Sequence, residues 1–95
     1  MKPEDTIEFL RRYHERHGDL FKLEEVDGTY IISVDRAEGR ARIVLTPKDT
    51  NLLVHRVEDL RDVTRGRFEG NYSPQESLTF ALDLIERTRA ERRRG

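Results

Sequence analysis

The stretch "LFKLEEVDGTYIISVDRAEGRARIVLT", residues 20–46, decides the fold. It holds three runs rich in β-branched and aromatic residues, 20–26, 29–35 and 40–46, divided by Asp27-Gly28 and by 36–39. Asp-Gly between two such runs is a hairpin signal, because a two-residue turn of this kind wants positive φ at both central positions. Alternation assigns Phe21 and Leu23, then Tyr30, Ile32 and Val34, then Ala41, Ile43 and Leu45 to one face. The other face receives Lys22, Glu24, Ser33, Arg40 and Arg42, with Ile31 and Val44 among them. One apolar face and one mostly polar face is the pattern of an antiparallel sheet covered on one side.

Helices flank this meander. Residues 3–17 carry Pro3 in a first turn, Glu4 and Asp5 at the positive end of the dipole, and Gly18 as the expected C-cap. At 100° per residue, Ile7, Leu10, Tyr13, His14 and His17 share one side of the wheel, while Glu4, Glu8, Arg11, Arg12, Glu15 and Arg16 share the other. At the far end, Ser73-Pro74-Gln75-Glu76 forms a capping box with proline at the first helical position. Leu78, Ala81, Leu82 and Ile85 follow as an apolar stripe, broadened by Phe80 and Leu84. Beyond Thr88 the stripe gives way to arginines, so residues 89–95 are expected to be a solvated, frayed basic tail.

Residues 47–63 fit two templates. Leu53, Val57 and Leu60 recur at helical spacing, whereas "LLVHRV" (52–57) makes a fourth strand after a turn through 48–51. The strand is preferred, since three strands cover two helices poorly. The stretch 59–72, with Gly66 and Gly70, reads mostly as loop. The sequence thus predicts one α+β domain over residues 1–95: an antiparallel sheet of three or four strands with the first and last helices on one face. The expected core is Ile7, Leu10, Tyr13, Phe21, Leu23, Tyr30, Ile32, Val34, Ile43, Leu45, Leu53, Leu78, Leu82 and Ile85.

Composition narrows the function. Of 95 residues, 39% are charged and 35% hydrophobic, which makes for a thin core. The 18 basic residues nearly balance 19 acidic ones, so the chain lacks the large net charge of a disordered segment. A thin core is readily supplemented by a second copy, and a homodimer is expected on that ground. The absence of cysteine excludes disulfides, thiolate metal sites and thiol nucleophiles. The opening "MKPEDTIEFL" has acids where a secretory leader has an apolar run, and no apolar run approaches a membrane span, so a cytoplasmic protein is expected.

No motif specifies a reaction. The serines at 33, 73 and 77 lie outside any nucleophile elbow, and the carboxylate pairs are interleaved with arginines, so no catalytic residue is assigned and no enzyme is expected. His14 and His17 sit one turn apart and are the candidate metal ligands. The wheel turns both toward the apolar side and nothing fixes a third ligand, so neither a metal nor another cofactor is assigned. The expected function is a protein–protein interaction module, an adaptor or regulator, with Ile31, Val44, Arg40 and Arg42 on the sheet's outer face as contact residues. The alternative is a nucleic-acid-binding accessory protein using Arg40, Arg42, Arg65 and Arg67, the aromatics Phe68 and Tyr72, and the C-terminal arginines. Against it stands a net charge of −1, where nucleic-acid-binding domains are clearly basic.

Overall fold

The hairpin signals hold in a computed structural model that describes residues 1–37, 39–57 and 69–94. Helix α1 (Pro3–Arg16) leads into strands β1 (Lys22–Val26), β2 (Thr29–Arg36), β3 (Gly39–Lys48), β4 (Asn51–Val57) and β5 (Gly70–Tyr72), and helix α2 (Pro74–Arg94) closes the chain. The five strands form one antiparallel sheet in sequence order. Both helices pack on the same face, as the sequence predicts, and the least extent of the molecule, 22 Å, is that of one helix layer on one sheet.

Two-residue turns set the register. Asp27 (φ 49°) and Gly28 (φ 78°) join β1 to β2, so Val26 faces Thr29. Asp49 (φ 48°) helps join β3 to β4, so Lys48 faces Asn51. Short polar side chains and glycine tolerate this left-handed backbone at little cost. Tyr30, Ile32 and Val34 then share the helix-covered face with Ala41, Ile43, Leu45, Leu52 and Val54.

The sheet has five strands where three or four are expected. The stretch 47–63 provides β4, and β5 arises inside what reads as loop, through Leu52–Tyr72 and Val54–Gly70 pairing. The expected core residue Leu53 is only partly buried, on the outer face, while Leu52 and Val54 are buried. A period of two leaves no intermediate choice, and the turn at 49–50 selects the Leu52 parity. Leu82 is likewise partly buried. The buried stripe of α2 runs through Ser77, Leu78, Ala81, Leu84, Ile85 and Thr88. Leu20 joins the core; Tyr13, Leu23 and Tyr30 flank it.

Polar links join the helices. Thr6, fully buried, donates its hydroxyl to the Pro74 carbonyl at 2.8 Å, tying α1 to the start of α2. Tyr13 donates to the Glu86 carboxylate and accepts from Arg89 Nη2 at 2.7 Å. The α1 N-terminus is closed by the Lys2 amide donating to Asp5 Oδ2 at 2.8 Å. Helix α1 ends at His17 with φ −135°, so the expected glycine C-cap is not used. Gly18 has ordinary negative-side backbone, and a Cβ there would lie 3.2 Å from the His14 carbonyl oxygen.

Helix α2 runs on to Arg94 through the stretch expected to be a solvated, frayed tail. Besides the Arg89 bond, Glu91 pairs with Arg36 Nε at 2.8 Å and accepts the Ala37 amide at 3.0 Å, and Arg92 donates to the Asp19 carbonyl. The last turns of α2 are therefore tied to the segment before β1 and to the β2–β3 turn, and their arginines are partly engaged in structure.

Two measurements check this packing. Leu52→Ala should lower unfolding free energy by about 3 kcal/mol and Leu53→Ala by about 1 kcal/mol or less in chemical denaturation. A larger loss in Leu53→Ala than in Leu52→Ala would mean the opposite register for β4. Burial, then the Glu86 carboxylate, hold the Tyr13 phenol above its ordinary pKa of 10.0. A raised folded-state value means that this contribution is full below pH 10 and fades as pH climbs through the folded value. Tyr13→Phe should cost about 1–2 kcal/mol at neutral pH and remove that alkaline loss, read as unfolding free energy against pH.

Candidate functional site

Because both helices cover one face, the other carries every second residue of the strands without a covering element among the described residues. Cross-strand register arranges this outer face in rows. Glu24, Ile31, Val44 and His55 form the middle row, and Lys22, Ser33 and Arg42 form the row beside it. On the far side Thr29 and Thr46 share a hydroxyl–hydroxyl bond of 3.1 Å, with Leu53 next to Thr46. Ile31, Val44 and Leu53 are partly exposed, and Val26 at the edge is 52% exposed. His55 Nδ1 lies 2.7 Å from Glu69 Oε1 and Arg40 Nε lies 3.1 Å from Asp35 Oδ1, so paired polar groups border the apolar centre.

This geometry brings together four of the expected contact residues, Ile31, Val44, Arg40 and Arg42. It separates Tyr72 from them: Tyr72 lies on the helix-covered face, edge-on to Phe80 with ring centroids 5.0 Å apart. The remaining candidates, Arg65, Arg67 and Phe68, lie outside the described residues. Arg36, counted with Arg40 and Arg42 as a basic cluster, faces the opposite way and is held by Glu91. The arginine cluster is thus split between two faces, and two of its three members are matched by carboxylates.

The histidines are edge-of-core residues. His14 meets Phe21 edge-on at 5.0 Å, and His17 lies 4.7 Å from the Tyr13 ring. Among the described residues no three His, Asp or Glu side chains converge in a way that could hold a metal. Nor does any described helix have the length and apolarity to cross a membrane.

A second surface escapes sequence reading. A groove runs along α1 where it lies over the ends of β1, β2 and β3, made of two adjoining cavities of about 310 and 380 Å³ that share Arg11 and Tyr30. Ile7, Leu23, Tyr30 and Pro47 supply its apolar lining. Carboxylates from α1 and β1 supply its rim. Each reads in sequence as part of a solvated charged face; only the packing of α1 on the sheet places them together.

Comparison of the chain with protein-family models, with curated proteins and with solved structures gives no match. One consequence concerns the histidines: added zinc should leave the melting temperature unchanged, because a ligand that binds the native state raises it by mass action. A rise that is lost in His14→Ala would establish a zinc site there.

Proposed function

We propose that this chain is a small, non-catalytic protein-interaction module, an adaptor or regulator working in the cytosol, and that it associates with a second copy through the outer face of its sheet. The observation that carries this reading is the one-sided placement of the helices, which leaves Ile31, Val44 and Leu53 without a cover among the described residues. Single exposed apolar residues are ordinary on a protein surface, but here they are neighbours across consecutive strands.

Area favours a second copy as the occupant. Strands about 4.8 Å apart, carrying three rows of outward residues, present a face of roughly 24 by 20 Å. Two such faces bury roughly 1,000 Å² together, at the lower bound for a specific association. Sheets stack face to face at about 10 Å, which suits the modest side chains of Ile31, Val44 and Thr46. The free edge is less suited to the task. Strand β1 carries Lys22, Glu24 and Glu25, and such charges oppose pairing with another strand.

An interface of this size implies a reversible dimer. Sedimentation should show a mass that rises with concentration, and Val44→Glu should return it to the monomer value while the circular dichroism spectrum stays unchanged. A monomer mass independent of concentration refutes self-association. A salt-sensitive shift with random duplex DNA, lost in the double variant Arg40→Ala, Arg42→Ala, would favour the nucleic-acid reading instead.

A further inference from the structure

The groove along α1 lies on the helix side of the sheet except at Glu24, which the register also sets at the margin of the outer face, so the carboxylates of α1 make it a surface distinct from the one proposed for self-association. Its charge is lopsided. Glu4, Asp5, Glu8, Glu15, Glu24 and Glu25 line it against one cation, Arg11, although the chain as a whole carries a net charge of only −1. Glu4, Glu15 and Glu24 have no hydrogen-bond or ion-pair partner among the described residues.

Arg11 indicates what the groove accommodates. It sits where the two cavities meet, with its guanidinium 5.5 Å from the centroid of the Tyr30 ring. Its Nη2 is 3.3 Å from Glu25 Oε2 and its Nη1 is 3.9 Å from Glu8 Oε2. The Tyr30 hydroxyl donates to the other Glu25 oxygen at 3.4 Å, which sets that carboxylate beside the ring. A ring face with carboxylates at its edge is a seat for a planar cation. On either side the apolar lining continues, toward Leu23 with Glu15 and Glu24, and toward Ile7 and Pro47 with Glu4.

We propose that this groove docks a short extended segment of a partner protein in which arginine or lysine alternates with apolar side chains. From Glu4 to Glu15 the helix rises about 16 Å, the span of about five extended residues. Alternation places apolar side chains toward Leu23, Ile7 and Pro47 and cations toward the unpaired carboxylates. Like charge repels nucleic acid and acidic peptides from the same groove.

The test uses the full chain and a fluorescent peptide, Arg-Leu-Arg-Leu-Arg, followed by anisotropy at low and near-physiological salt. Saturable, salt-weakened binding is expected, with no binding of Glu-Leu-Glu-Leu-Glu. The double variant Glu4→Gln, Glu15→Gln should bind roughly tenfold more weakly, the scale of two exposed ion pairs. Arg11→Ala should bind as well as the parent or better, since it frees Glu25, while Glu8 stays paired with Arg12. Asp83→Asn, an exposed change on α2, should bind unchanged, and circular dichroism should confirm that every variant is folded. Absence of saturable binding at low salt overturns the proposal, as does an equal loss in Asp83→Asn. If the double variant instead lowers the self-associated mass, the occupant is the arginine-bearing C-terminus of a second copy, and the assignment to a partner protein falls.

Discussion

The left-handed backbone at two hairpin tips is the constraint on which the rest of this structure depends. Asp27 and Gly28 at one tip, and Asp49 at the other, allow turns of two residues and no more. Because each strand pairs with the next in sequence, every turn passes its parity on, and the apolar sets of β1 to β4 fall on one face together. Both helices have their apolar stripes to bury, and only that face receives them. A slip of one residue at either tip would expose one hairpin's core residues and bury its charges, which no thin core could survive.

The parts of the fold legible in the sequence are those fixed locally. Asp27-Gly28 declares its hairpin, Ser73 to Glu76 declares the start of α2, and alternation separates Ile31 and Val44 from Ile32 and Ile43. The illegible parts are fixed at a distance. In "NLLV" the choice between Leu52 and Leu53 belongs to the turn before it, and three apolar residues in a row hide it. Strand β5 has three residues, and only pairing with β4 makes Gly70-Asn71-Tyr72 extended. Arginines at a helix C-terminus satisfy the dipole wherever they occur, so nothing local reveals that Arg89 and Arg92 reach Tyr13 and Asp19, or that Glu91 between them holds Arg36.

The candidate surfaces divide in the same way. The outer face follows from alternation within neighbouring strands, so its members are readable once the hairpins are known. The α1 groove draws its carboxylates from a helix and a strand that touch only after folding. On the helical wheel Glu4, Glu8 and Glu15 belong to an ordinary wet face, and in β1 Glu24 and Glu25 look like guards of an edge. Both descriptions remain true of the isolated elements. Their juxtaposition across Tyr30 creates a local field that neither element has.

A near-zero net charge is therefore a poor guide to whether a chain of this kind recognises charged partners. Net charge sums over the whole molecule, whereas a bound group responds to charges within about 10 Å, the screening length at moderate salt. Here acids crowd one side of α1, while several arginines are spent on internal partners: Arg36 on Glu91, Arg40 on Asp35, Arg87 on Asp83. Each such pair removes one acid with one cation, so placement decides the local field, and along the groove Glu4, Glu15 and Glu24 are left over. The balance that argues against nucleic acid in the sum thus becomes, once distributed, a local excess of negative charge beside an apolar floor. That excess favours a cationic segment.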